Sequence, residues 1–260
     1  MTVAAAFDPP VAVASLSGEA DAEWARTAAP YVGCALLGGI ALDGPTRAAA
    51  RELRARDRSE FLPSDPIAFV DAELSALEGL AVRPGMNVRS AATAPIAAAA
   101  SVCADHDAVL EINAHCRQAE MCAAGAGETL MRDADRLCEQ VAAAAEAGAT
   151  VGVKLRAEVP GVELPALSAR LSAAGADSLH VDAMDSEAVI ADVVSAAPDA
   201  TVIANNDVRG PESVREYFAY GADAVSVGRP SNDPAVLERV RRAVETRADG
   251  DAGRGASTDA

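Results

Sequence analysis

The chain contains one lysine, Lys154, at the end of the apolar run Thr150–Leu155; its other 21 basic side chains are arginines. An ammonium there can hold the anionic edge of a cofactor or form a Schiff base with a carbonyl. A strand-end charge reaching water is the plainer alternative, although arginine would serve that purpose as well. Cys116 stands between His115 and Arg117 after the run Ala108–Ile112. Two neighbours able to carry positive charge favour a thiolate and suit this residue to donate a proton or attack an electrophile. An ordinary buried cysteine is the alternative. His115, Cys116 and Cys122 match no zinc-ligand spacing, and no metal site is expected. A third group lies in the segment 201–230, where Asn205-Asn206-Asp207 ends one apolar run and Gly228-Arg229-Pro230 ends the next. A glycine lets backbone N–H groups approach a phosphate, and an arginine adds positive potential. The alternative is a tight turn with a solvated arginine.

These residues need a scaffold that brings them together. Eight strand-like runs fall near 11–15, 32–37, 84–88, 108–112, 150–155, 177–181, 201–204 and 224–227. Helix-like segments follow near 20–29, 45–57, 91–104, 129–147, 164–174, 186–197, 211–220 and 233–246, with an extra one at 66–78. Gly148, Gly175 and Gly221 recur at the same place in three units, between helix and strand. Eight such units predict an α/β fold of the (β/α)8 TIM-barrel type. A doubly wound sheet is the alternative, but no GxGxxG follows the first strand. The barrel is expected over 1–246, with 247–260 a short disordered tail.

Active residues of such barrels sit where strands end. That rule places Ser15, Gly38-Gly39, Asn87 and Arg89, Asn113 through Gln118, Lys154 and Arg156, His180 and Asp182, Asn205-Asn206 and Gly228-Arg229 on one rim. Ser15 joins the expected cofactor-binding set with Asn87, Asn113, Lys154, His180, Asn205, Asn206, Gly228 and Arg229. Asn87 and Asn113 can bond the edge of a flat ring or cap their following helices, and capping is the simpler reading of Asn87. His180 is either a satisfied core imidazole or a contact to a phosphate or carbonyl.

The bulk composition narrows the partners. The 260 residues carry a net charge of −17, with 39 acids against 22 bases, and half of them are hydrophobic. Such a surface resembles those of salt-loving archaea, where long-range charge effects are screened. No basic stripe interleaved with aromatics is visible along the chain, so charge lends nucleic-acid binding no support. Five cysteines without a CxxC, no leader-like start and no run long enough to span a bilayer predict a reducing, cytoplasmic setting without a membrane.

Segment 109–156 resembles the tRNA-dihydrouridine synthase family, which is related to dihydroorotate dehydrogenases. The family's Asn-x-Gly-Cys-Pro turn, Gly-Ala-Gly-x-x-Leu segment and Val-Lys-x-Arg strand correspond to Asn113–Arg117, Gly125–Leu130 and Val153–Arg156. Residues 202–229 resemble its Ile-x-Asn-Gly-Asp and Gly-Ala-Asp-x-Val-x-x-Gly-Arg motifs. The resemblance, closest to an archaeal branch, implies FMN as cofactor and NAD(P)H as its reductant. Lys154 would meet the flavin ring and His180 would lie near the phosphate side. Asn205, Gly228 and Arg229 would bind the phosphate, Asn113 would orient the base or flavin, and Cys116 would be the general acid. The implied reaction reduces the C5=C6 bond of a pyrimidine, uridine in tRNA first. The alternatives are a small free pyrimidine, a Schiff-base lyase using Lys154, and a barrel that binds a phosphorylated ligand without catalysis. The chain departs from the pattern at His115 for glycine, Arg117 for proline, Asn206 for glycine and Asp182 for arginine. Nothing after residue 246 matches the family's C-terminal helical domain, which helps grip tRNA, so the flavin site is the firmer expectation.

Overall fold

Parallel strands cannot be joined by a hairpin; each needs a crossover, and here helices supply it. The computed structural model describes residues 7–255, with side chains through Arg247. Strands β1 (Val11–Val13), β2 (Cys34–Ala41), β3 (Arg83–Arg89), β4 (Val109–Asn113), β5 (Thr150–Arg156), β6 (Ser178–Asp182), β7 (Thr201–Asn205) and β8 (Ala224–Val227) close into a barrel in chain order. Every neighbouring pair is parallel, and β1 returns to β8. The helices outside are α1 (Ala22–Ala28), α2 (Gly44–Arg54), α3 (Pro66–Ser75), α4 (Thr93–Asp105), α5 (Ala119–Ala123), α6 (Thr129–Arg132), α7 (Ala134–Glu146), α8 (Leu164–Ala173), α9 (Val189–Ala196), α10 (Pro211–Ala219) and α11 (Pro234–Gly255). This is the (β/α)8 barrel that the eight-unit pattern predicts.

Small branched side chains build it. Val151, Val153 and Leu155 of β5 share one apolar core with Leu137 and Val141 of α7 and Leu167 and Leu171 of α8. Alternation then turns Lys154, between Val153 and Leu155, the other way. Aspartates start several helices: Asp21 accepts from Trp24 N, Asp43 from Thr46 N, and Asp65 from Ile67 N and Ala68 N. Such a cap contributes about 1 kcal/mol. Gly148, Gly175 and Gly221 have φ of 89°, 109° and 90°, the left-handed turn into the next strand that glycine adopts at least cost.

Three boundaries differ from expectation. Strand β2 does not end at Leu37 but runs on through Gly38-Gly39 to Ala41. The register shifts between Gly38 and Ile40, so the glycines kink the strand instead of ending it. The helix expected over 129–147 is broken at Asp133, which caps α7. The last helix continues to Gly255; the remainder of the segment read as a tail, 256–260, lies outside the described residues. Among the described residues no helix is long and apolar enough to cross a membrane.

Candidate active site

Six side chains from five strands form one hydrogen-bonded chain across the bore, and every donor leads to Glu111. From one side, Asn205 Nδ2 donates to Ser226 Oγ at 2.5 Å, and Ser226 Oγ lies 2.6 Å from His180 Nε2. His180 Nδ1 lies 2.6 Å from Glu111 Oε2. From the other side, Asn113 Nδ2 donates to Asn87 Oδ1 at 2.9 Å, and Asn87 Nδ2 to Glu111 Oε1 at 2.5 Å. Asn113 Oδ1 then accepts the backbone N–H groups of His115 and Cys116 at 3.2 and 2.9 Å. All six residues are buried. Burial alone would raise the Glu111 carboxyl, but the His180 ring, Lys154 and the Asn87 amide together hold it below the usual range. Burial pushes His180 below its usual value, and Glu111 only partly offsets this. An ionised Glu111 and a neutral His180 assign the tautomer: Nδ1–H faces the carboxylate and Nε2 accepts from Ser226.

This network corrects the capping reading of Asn87 and bears on the alternatives left open for Asn113 and His180. Asn87 caps nothing, because α4 begins after Ala92; its amide joins Glu111 to Asn113. Asn113 does not cap α5 either, and instead shapes the Cys116 turn. His180 is the satisfied core imidazole, with both ring nitrogens on protein partners. Glu111 was not singled out in the sequence. Its signal was a carboxylate in the middle of the apolar strand VLEIN, where an unpaired charge cannot be buried.

Lys154 stands beside this chain and takes no part in it. It is 5% exposed, so it does not reach out to water. Among the described residues its ammonium has no hydrogen bond or ion pair. Its charge is felt by Glu111, His115, His180 and Asp182. Above it on the rim, His115 Nε2 lies 2.6 Å from Asp182 Oδ2. Two departures from the family pattern are thus one contact, bridging the exits of β4 and β6 across β5. Burial lowers His115 more than Asp182 raises it.

Cys116 keeps its rim position but has a different cation. His115 is drawn to Asp182, and Arg117 is exposed. The charge that couples to the thiol is that of Arg89 on β3 instead. The Arg89 guanidinium is buried, donates to Glu60 Oε1 at 3.1 Å, and is also bonded to Glu60 Oε2 and the Gly39 carbonyl. Burial alone would lower its pKa, but Glu60 and, after it, Cys116 raise it above the usual value. The Gly-Ala-Gly segment wraps the same turn. Glu128 N donates to the Cys116 carbonyl at 2.9 Å, and a Cβ on Gly127 would stand 2.2 Å from that oxygen. Only glycine fits there.

The corner after β7 and β8 is looser. Asn205 points into the bore toward Ser226, whereas Asn206 bonds the Met184 carbonyl with a backbone φ of 117°. That angle suits the glycine which the family carries here. At Gly228 an added Cβ would meet nothing within 4 Å. Arg229 is exposed and without an ion pair among the described residues. Ser15 is half-buried just past the end of β1, on the same rim. The structure thus gathers Cys116, Lys154, Gly228 and Arg229 at the C-terminal ends of the strands, with the Asn87–Asn205 network beneath them.

A closed parallel barrel whose titratable residues gather at the strand C-termini has the layout of a (β/α)8-barrel enzyme. The sequence model of the dihydrouridine synthase (Dus) family matches residues 86–255, and the chain belongs to that family. It is 28% identical over 237 residues to an uncharacterised protein of Methanocaldococcus jannaschii, covering 86% of this chain and 89% of that one. It is also 28% identical over 259 residues to a probable tRNA-dihydrouridine synthase of Rhodobacter capsulatus, covering 94% and 74%. Among solved structures, dihydroorotate dehydrogenase from Eimeria tenella in complex with ferulenol has the same fold. Its TM-score is 0.67 at 14% identity, over 94% of this chain and 82% of that one.

Proposed function

We propose that the chain is an FMN-dependent oxidoreductase that reduces the C5=C6 bond of uridine in tRNA, with NAD(P)H as the source of electrons. The observation that carries this reading is Lys154. A buried ammonium without a protein partner is costly unless something anionic or electron-rich meets it, and it sits in a barrel of the dihydrouridine synthase family. The surrounding residues fit a flavin. The space at Gly228 and the free charge of Arg229 suit its phosphate, and the buried His180, with both ring nitrogens bonded, and Asn205, bonded through Nδ2, give a rigid floor. Bound flavin supplies hydride for C6 of the pyrimidine. Lys154 adds positive potential where negative charge develops. Asn113 holds the turn that presents Cys116, and the thiol delivers the proton to C5. Arg89, fixed by Glu60, then faces the thiolate left behind.

Purified protein should be yellow and should release FMN on denaturation, identified by its mass. Cys116→Ala should keep the flavin and its reduction by NAD(P)H while losing reduction of uridine. A colourless protein that takes up no FMN on reconstitution would sink the proposal. A second reading, a small free pyrimidine as substrate, is favoured by one observation: Asp182, an acid, stands on the rim where the family pattern carries an arginine. Loss of the gene separates the two, since unchanged dihydrouridine in bulk tRNA leaves only the free base.

A further inference from the structure

The chain is strongly acidic, yet two stretches are not: residues 47–58 hold five arginines against two carboxylates, and the other lies near the end of the barrel. Residues 209–247 hold seven arginines against six carboxylates, within a chain of net charge −17. Four of those arginines, Arg215 of α10 and Arg239, Arg242 and Arg247 of α11, line a hollow of about 980 Å3 between the two helices, with Phe218 at its side. Glu238 is the one carboxylate in that lining. We propose that this face between α10 and α11 is a docking surface for the ribose-phosphate backbone of RNA. The proposal rests on the reading of tRNA as substrate.

Charge and geometry both favour phosphate. Arg215 has no ion pair among the described residues. Arg242 bonds only the exposed Glu238 one turn away, a surface pair worth little and readily exchanged. The Arg247 guanidinium stands 4.3 Å from the centre of the Phe218 ring, so the largest apolar face is already covered by a cation. Phosphate is matched by the planar forks of arginine. From Arg239 to Arg247 the helix rises about 12 Å, the axial length of roughly three to four phosphates along one strand of a duplex. A second hollow of about 610 Å3 shares Arg215 and Arg239 and ends at Asn206 and Asp207 beside the mouth. Its carboxylates, Glu187, Asp207, Glu212 and Glu216, confine the attraction to the α10–α11 side. Three of the four arginines share α11 with Glu238 and Glu245, so the sequence shows no unbroken basic run there.

The test is fluorescence-anisotropy titration of the full chain with labelled tRNA transcript over a range of salt. Arg215→Glu/Arg242→Glu is compared with a control of equal charge outside both arginine-rich stretches, Arg26→Glu/Arg170→Glu on α1 and α8. The groove variant should bind at least tenfold more weakly, and its plot of log affinity against log salt should be shallower by about one unit per arginine. The control should change less than twofold. Unaltered melting curves establish that both variants fold. Equal losses in the two variants, or none in the groove variant, overturn the surface. So does groove-dependent binding of poly-glutamate without binding of tRNA, which assigns the face to an acidic protein. The underlying reading fails separately: tRNA binding that depends on the groove, in a protein that takes up no flavin, removes the oxidoreductase and leaves the surface standing.

Discussion

The bore and the rim above it treat polar groups in opposite ways. In the bore, Asn205, Ser226, His180, Asn87 and Asn113 all direct their donors toward Glu111. On the rim, the charged groups of Lys154 and Arg229 have no hydrogen bond or ion pair among the described residues, and Gly228 faces open space. A network whose members are already bonded to one another fixes shape before any ligand arrives. A group left without a partner at comparable burial does the reverse, lowering the stability of the empty protein in favour of whatever binds. The comparison therefore separates residues that build the site from residues that meet its ligand, and mutations on each side should differ in kind.

The largest effect is expected at Glu111. Glu111→Ala strands the His180 and Asn87 donors and should cost about 3–5 kcal/mol in urea denaturation, as removal of one member of a buried charged network does. Glu111→Gln, which keeps the shape, should cost less. The same network gives a pH dependence. His180 and His115 are held below their ordinary 6.5, so the unfolded chain takes up protons that the folded one refuses. Stability is then complete above pH 6.5 and falls as the pH drops below it. Glu111 and Asp182, held below 4.5 and 3.8, add a second loss under those values. Melting temperature should thus decline from pH 7 to pH 5, and more gently in His180→Gln. A flat profile would mean that the imidazole is not buried in its neutral form.

Next in size is Gly127→Ala. Its Cβ would stand 2.2 Å from the Cys116 carbonyl, which is backbone and cannot swing aside. About 1–3 kcal/mol is expected, together with a changed rate of Cys116 alkylation, because the turn itself must move. Cys34 and Cys103, whose thiols burial raises to about 12, should stay unlabelled in both proteins. A stability loss with an unchanged alkylation rate would show that the Gly-Ala-Gly segment supports the barrel without shaping the cysteine turn.

The fold was legible because it is written in local order. Eight apolar runs and the glycines at 148, 175 and 221 mark the units without any long-range information. The rim position of Lys154, Cys116, Gly228 and Arg229 was legible because each lies in the last residues of a strand or just past it. What stayed hidden depends on pairs distant in the chain. Glu111 meets His180 across 69 residues, and Arg89 meets Glu60 across 29. His115 and Asp182, read as two separate oddities, are one contact over 67 residues. Sequence neighbours proved a poor guide to the cation beside Cys116 for the same reason: consecutive side chains on a turn diverge, while β3 places Arg89 next to it.

Lys154→Met sharpens the comparison from the other side. The ammonium is buried without a bond, so an apolar side chain of similar length should leave stability within about 1 kcal/mol or raise it. Flavin affinity should fall at least tenfold, read by equilibrium dialysis against FMN. Arg229→Ala should behave likewise, with stability unchanged within about 0.5 kcal/mol because its side chain is exposed. If Lys154→Met destabilises the empty protein as much as Glu111→Ala does, the lysine belongs to the framework and the division between builders and binders fails.

The smallest effect separates backbone from side chain at one position. Asn206 holds φ at 117°, which glycine adopts freely and other residues at a cost of about 1–3 kcal/mol. Its side chain recovers part of that by bonding the Met184 carbonyl, worth about 1 kcal/mol. Asn206→Gly trades one for the other and should shift stability by no more than about 1 kcal/mol. Asn206→Ala keeps the strain, loses the bond and should be the less stable of the two. FMN affinity should be equal in wild type and Asn206→Gly if the position serves the cofactor only by carrying the turn. A loss confined to both substitutions would instead make the amide itself a ligand, and would move Asn206 from the residues that build the corner to those that bind there.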